Sequence, residues 1–594
     1  MHDDEKVELP GEVPCEWGSD AIAGALRATG VPYIALNPGA SYRGLHDSLV
    51  NHLGNADPQM LLCLHEEHSI GIAHGYAKVT DSPMAAAVHS NVGLMHATMA
   101  IFNAYCDRVP MLVLGATGPV DADRRRPWID WIHTAADQAA LVRPYVKWDD
   151  QPASVRASVA SVRRGNQLTR THPAAPVYVC FDAAVQEQPF TEDLAGDAAR
   201  YAAIADSQPA SESIAAAVDL LAGAARPVIL AGRVSRDGAE WDRRVELAER
   251  IGAAVVTDLK VAAAFPTDHP LHTGTPGLFV SPENLELLRS ADVVLSLDWV
   301  DLGGTLRLAN KGEEPNARII SASSDHQLFN GWTKNDHVLP AVDVFLHSRP
   351  DTAVAALLER LPDGAATPAS RSAITGTAED AAEPPATGPT GKLTVGHLAT
   401  RLRAATAADA VTLVRTPFAW DASHWPVRSP LDYLGSDGGG GIGSGPGIAV
   451  GAALALKGTG RIPLAVLGDG DYLMGLTALW TAARYELPLL VVVANNSSFF
   501  NDELHQDRMA RIRSRPVENA HIGMRMEGPE PDLAALARGQ GLEGIGPVRT
   551  PEELSAAITA GLEHVRGGRT AVVDVRVERG YGSSTAAAIA RSPG

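Results

Sequence analysis

The chain has 594 residues, too many for a single hydrophobic core, so length alone implies several domains. A composition of 45% hydrophobic and 20% charged residues excludes a disordered or membrane-embedded chain. The net charge of −20 argues against nucleic acid and anionic membrane surfaces as partners.

From the N-terminus, Met1 to Lys6 is acidic and lacks the apolar core of a signal peptide, so a cytoplasmic location is expected. Cys15, Cys63, Cys106 and Cys180 are scattered without a CxxC pair, which implies neither a disulfide framework nor a zinc site. Short apolar runs then alternate with helical spacing. Strands are predicted at Tyr33–Leu36, Met60–His65, Pro83–His89, Met111–Gly115 and Pro176–Phe181. After an acidic stretch, a second set falls at Pro227–Ala231, Ala254–Thr257, Asp292–Leu297 and Ala317–Ala322. Pro362 to Leu393 is rich in Ala, Thr, Pro and Gly and reads as a linker. A third set follows at Ala410–Val414, Pro463–Gly468, Pro488–Ala494 and Thr570–Val577. The expectation is an α/β protein with three doubly wound parallel-sheet domains at residues 12–190, 205–361 and 394–590, with 362–393 as the linker.

Chemistry concentrates in the third set. Gly468-Asp469-Gly470 ends one apolar strand, and Asn495-Asn496 ends the next, with 24 residues between the two motifs. Helical spacing from Asp471 to Tyr485 makes this a right-handed βαβ unit, whose neighbouring strand ends lie side by side. The Asp469 carboxylate then lies beside the Asn496 amide oxygen, a donor pair suited to Mg²⁺. Glycines at a helix N-terminus admit phosphate oxygens close to the backbone. Earlier in the chain, a predicted strand ends at His65 and a helix starts at Glu66. Glu66 stands nine residues before Gly75-Tyr76-Ala77.

Taken together, these motifs resemble those of thiamine-diphosphate-dependent enzymes. The resemblance implies that the first domain binds the cofactor's pyrimidine and the third binds its diphosphate and Mg²⁺, with a central domain between them. It implies Asp469, Asn496 and the Ser498 carbonyl as metal ligands, with Gly468, Gly470 and Asp471 lining the diphosphate site. Glu66 would bond the pyrimidine ring nitrogen and so make the cofactor's own amine the base that activates it. In Gly438 to Gly445, Ile442 would be the apolar wedge under the bent cofactor, and the Gly440 carbonyl would receive the aminopyrimidine.

Finer similarities divide between subgroups. His89 at a strand end, Gly71-Ile72-Ala73 and Arg143 to Trp148 resemble benzoylformate decarboxylase, which implies His89 as an acid–base group. Ser497 to Asp507 is instead similar to acetolactate synthase. Where the decarboxylase has a substrate-contacting serine this chain has Ala40, which implies either Ser41 as a substitute or a different substrate. Arg124-Arg125-Arg126 reads as a solvated run or as an entrance for an anionic substrate, and His424 with Trp420 and Trp425 as packing or substrate contact. The expected reaction is cleavage or formation of a C–C bond in a 2-oxo acid, foremost a non-oxidative decarboxylation. The alternatives are a carboligase of the acetolactate synthase type and an FAD-containing oxidase. FAD is the less favoured cofactor, because Ala231 to Ser235 lacks GxGxxG spacing. The family's habit implies a homodimer or homotetramer with active sites at the subunit interface.

Overall fold

Apolar runs bounded by turn residues become strands covered on both faces, and in this chain they pair in parallel. The structure is a computed structural model describing residues 5–581 apart from 12, 193, 195, 197, 326–338 and 363–382. The first sheet comprises β1 (Tyr33–Leu36), β2 (Gln59–Leu62), β3 (Met84–Val88), β4 (Met111–Thr117), β5 (Trp148–Asp150) and β6 (Pro176–Asp182), ordered β2-β1-β3-β4-β6-β5. The second comprises β7 (Pro227–Ala231), β8 (Ala254–Val256), β9 (Val293–Leu297), β10 (Arg318–Ser323) and β11 (Val344–His347), ordered β11-β10-β9-β7-β8. The third comprises β12 (Ala410–Arg415), β13 (Arg461–Gly468), β14 (Leu489–Asn495), β15 (Glu543–Val548) and β16 (Thr570–Arg576), ordered β12-β13-β14-β16-β15. Every residue of β3, β4, β6, β14 and β16 is buried. Three parallel-sheet α/β units are thus present, as the strand–helix alternation predicts.

The sequence pattern misses β5, β11 and β15, and all three lie at sheet edges. An edge strand has no second neighbour, so its apolar signal is short or broken. Trp148-Asp149-Asp150 is half-buried throughout, and β15 carries Gly544, Gly546 and Pro547. A second difference concerns the helix expected from Asp471 to Tyr485. It is two helices, Asp469–Gly475 and Ala478–Arg484. The interruption falls where the backbone meets the glycine loop: a Cβ on Gly475 would lie 2.1 Å from the Gly443 carbonyl oxygen. Of the expected linker, 363–382 lies outside the described residues, while Leu393 is fully buried and bridges to Val577.

The first and third domains meet through two helices, α1 (Glu66–Thr80) and α2 (Gly445–Leu456). Gly71 and Gly75 on α1 face Gly447 and Gly451 on α2. A Cβ on Gly75 would lie 1.9 Å from the Ile448 carbonyl oxygen, and one on Gly451 would lie 1.9 Å from that of Ile72. Only glycine allows backbone to touch backbone at this distance. Beside the crossing, Asp107 accepts from His74 at 2.8 Å and Lys78 at 2.9 Å, and Lys78 also donates to the Ser436 carbonyl of the third domain. Burial opposes the Asp107 charge, but Lys78 and His74 together hold its carboxyl well below the usual range.

Candidate active site

β13 and β14 end side by side, and Gly468 pairs with Ala494 in register. The Asp469 carboxylate and the Asn496 amide oxygen converge there. The Ser498 N–H donates to Asp469 Oδ2 at 3.2 Å and to Asn496 Oδ1 at 2.9 Å. Asp469 also accepts from the Gly470 N–H at 2.8 Å, and burial pushes its pKa up. Two hard oxygens facing one another in a buried setting fit a divalent cation such as Mg²⁺. The predicted metal residues are therefore brought together.

Asp471 borders the same strand ends and braces the glycine loop. Its Oδ1 accepts from the Gly443 N–H at 2.7 Å and the Gly445 N–H at 3.1 Å, and its Oδ2 from Arg415 Nε at 3.2 Å. Arg415, at the end of β12, also pairs with Asp437, which accepts from Ser444 Oγ at 2.7 Å. Burial opposes the Arg415 charge, yet Asp437 and Asp471 together raise its pKa. This buried network fixes the glycine loop. Gly440 and Gly443 have φ of +67° and +98°, which favours glycine at both places. Ile442 is 44% exposed, an apolar side chain presented beside the metal residues as a wedge requires. Gly440, Ile442, Gly468, Gly470, Asp471, Asn496 and Ser498 all border one cavity of about 440 Å³.

Glu66 and His89 do not border that cavity. They form a second cluster, at the carboxyl ends of the first sheet. Glu66 opens α1 behind the N-cap His65, whose side chain accepts from the Glu67 N–H. It is 5% exposed and accepts from His96 Nδ1 at 3.1 Å, and His96 stacks on His65 with ring centroids 4.8 Å apart. A Cβ on Gly93 would lie 2.8 Å from Glu66 Oε1, so the helix after β3 passes close to the carboxyl. The neighbouring Glu67 is half-buried, and burial with the nearby Asp471 charge raises its pKa.

His89 follows β3 and lies against Gly39, where a Cβ would fall 2.3 Å from the imidazole. Its Nδ1 is 3.0 Å from Ser41 Oγ, so the residue next to Ala40 lies against the imidazole. His133 packs beside it with ring centroids 4.9 Å apart. Burial, then His133, lower the His89 pKa, partly countered by Glu66. His96, His133, Arg415 and Asp437 escaped the sequence reading, because none falls in a motif with fixed spacing.

Other expectations resolve by geometry. Arg124 and Arg125 donate to backbone carbonyls of Ala184, Pro119 and Val120, and Arg126 pairs with Asp130 at 2.8 Å. These arginines brace neighbouring backbone and the Asp130 carboxylate. Trp425 is core, while Trp420, its ring neighbour at 6.0 Å, also borders the cavity. For flavin, the relevant place is the ends of β7 and β9. There the Gly232 N–H donates to the Leu297 carbonyl and the Arg233 N–H to that of Asp298. Arg108 crosses from the first domain to pair with Asp298 and Asp325. Amides that would cradle a dinucleotide's diphosphate are already used, so these residues do not fit FAD.

Comparison with known proteins follows the same three units. Residues 16–141 match the thiamine pyrophosphate enzyme N-terminal TPP binding domain. Residues 214–341 match the central domain, and 417–575 the C-terminal TPP binding domain. A protein named probable 2-ketoarginine decarboxylase, from Pseudomonas aeruginosa, is 29% identical over 86% of this chain and 85% of its own length. The acetolactate synthase large subunit of Buchnera aphidicola is 25% identical over 94% of this chain and 95% of its own. In fold, the chain superposes on benzoylformate decarboxylase from Polynucleobacter necessarius with a TM-score of 0.77, at 19% identity, covering 95% of this chain and all of that one. Fold and matched domains define an enzyme that works with thiamine diphosphate. The chain belongs to the thiamine pyrophosphate enzyme family.

Proposed function

We propose that this protein decarboxylates a 2-oxo acid without oxidation, using thiamine diphosphate held through Mg²⁺. Asp469, Asn496 and the Ser498 carbonyl would hold the metal, and Gly468 and Gly470 would admit the diphosphate. When bound, the cofactor supplies a thiazolium that accepts the electron pair released as CO₂ leaves. Arg415, Asp437 and Asp471 keep the glycine loop in place, so that Ile442 and Gly440 support the cofactor's bend. Glu66 bonds the pyrimidine, its carboxyl kept from water by Gly93 and His96. His89, oriented by Ser41, carries the proton that the product requires.

The observation that carries this reading is the separation of two complete clusters within one chain. Glu66 with His89 lies on the first domain, Asp469 with Asn496 on the third, and one cavity does not contain both. The site is then assembled between the first domain of one copy and the third domain of another, in a cytosolic dimer or tetramer. The domain bounds proposed are 12–190, 205–361 and 394–590, joined by 362–393.

A carboligase is the second reading, favoured by the acetolactate synthase relative. The oxidase alternative gains no support: the relatives named are a decarboxylase and a synthase, and the central domain's strand ends do not suit flavin. Incubation with pyruvate or benzoylformate, thiamine diphosphate and Mg²⁺, with products identified by mass, tests the choice. Aldehyde and CO₂ are expected. A hydroxy-keto acid extended by two carbons from pyruvate would establish the carboligase instead.

A further inference from the structure

The third-domain cavity has a wall that the cofactor residues do not account for. Phe418, Phe500 and Tyr581 border it, and the Tyr581 ring lies 5.4 Å from each of the other two, centroid to centroid. The Tyr581 hydroxyl is kept protonated by burial and by the nearby Asp502 carboxylate, so the wall itself carries no negative charge. Asp502 borders the same cavity and is exposed.

The charges around this wall are unequal. Arg415 is the one basic side chain among the described lining residues, and it is committed to Asp437 and Asp471. Asp421 caps a short turn through the Ser423 N–H, and Glu578 is engaged by Thr390. Asp502 has no ion pair or side-chain hydrogen bond assigned to it among the described residues, whereas its neighbour Glu503 is held by Arg525 and Ser498. Aromatic faces beside a free carboxylate attract a cation. The first-domain cluster differs in kind: the imidazoles of His65, His89, His96 and His133 stand with the Ser41 hydroxyl, and their ring N–H groups can donate to a carboxylate. A substrate bridging the two clusters meets imidazoles at one end and rings with a carboxylate at the other.

We propose that the substrate is a 2-oxo acid whose far end bears a guanidinium or ammonium group, received by Phe418, Phe500, Tyr581 and Asp502. This rests on the decarboxylase reading and names the substrate class of that same site. A second carboxylate at the far end, as in 2-oxoglutarate, would face Asp502 and is disfavoured.

The test compares kcat/KM of the cofactor-loaded enzyme for 5-guanidino-2-oxopentanoate, 2-oxohexanoate and 2-oxoglutarate. The cationic acid is expected to exceed the neutral one by at least about tenfold, with the dianion slowest. Asp502→Asn and Tyr581→Leu should each shrink the cationic-to-neutral ratio several-fold, while Tyr581→Phe, which keeps the ring face, should restore it. A ratio of one or less, or one unmoved by Asp502→Asn, overturns the proposal. If no 2-oxo acid is decarboxylated, the decarboxylase reading is the one that fails. Calorimetric binding of 5-guanidinopentanoate against hexanoate then decides the cation wall by itself: tighter guanidino binding upholds it, and equal or weaker binding overturns it.

Discussion

The first and third domains share one strand order. Leaving out β2, the first sheet runs β1-β3-β4-β6-β5 and the third runs β12-β13-β14-β16-β15, position for position. The helix before the second strand of each run, α1 or α2, is the one that crosses to the other domain. Their contacts are reciprocal, Gly75 on Ile448 and Gly451 on Ile72. Yet equivalent strand ends carry different chemistry. β3 leads to His89, whereas β13 leads to Asp469. One strand order serves twice, first for imidazoles around a carboxyl and then for a pair of oxygen donors. Shared topology fixes where chemistry can sit, and the side chains at the strand ends decide what it is.

Substitutions can break this division of labour. Asp469→Ala should have the largest effect, abolishing Mg²⁺-dependent binding of thiamine diphosphate by calorimetry while leaving the fold intact by circular dichroism. Glu66→Gln should lower kcat by about 10³-fold with cofactor affinity changed less than tenfold, a split that separates the two clusters. His89→Ala should lower kcat by about 10²-fold. Because burial depresses the His89 pKa, the imidazole is neutral near pH 7. A neutral imidazole has no proton to give the product, so wild-type kcat should fall as pH rises toward and past the ordinary histidine value of about 6.5, and His89→Ala should lose that dependence. Gly451→Ala forces a methyl onto the Ile72 carbonyl and should cost about 1–3 kcal/mol in urea unfolding. Arg126→Ala removes the guanidinium from the buried Asp130 carboxylate, which keeps the backbone N–H of residue 126, and should cost about 1 kcal/mol while leaving kcat unchanged.

Much of this is legible in the sequence itself. Strands buried on two faces betray themselves as apolar runs, so the three sheets followed from pattern, and only edge strands such as β15 escaped. Asp469, Asn496 and Glu66 were legible because each sits at a strand end or helix start with a spaced partner. Contacts made across the fold were not. Nothing in the residues around His133 announces that its ring packs on His89. The Arg415–Asp437–Asp471 network joins three separate segments, and the break at Gly475 depends on how closely the glycine loop approaches. Phe418, Phe500 and Tyr581 likewise come together only after folding.

The glycine crossing has a bearing on motion. With no layer of side chains between α1 and α2, neither helix can slide along the other without driving a carbonyl oxygen into an α-carbon. The two clusters of one polypeptide therefore stay at a constant offset. In the assembly proposed above, a shift that opens one pocket would pass, through that rigid joint, to the next.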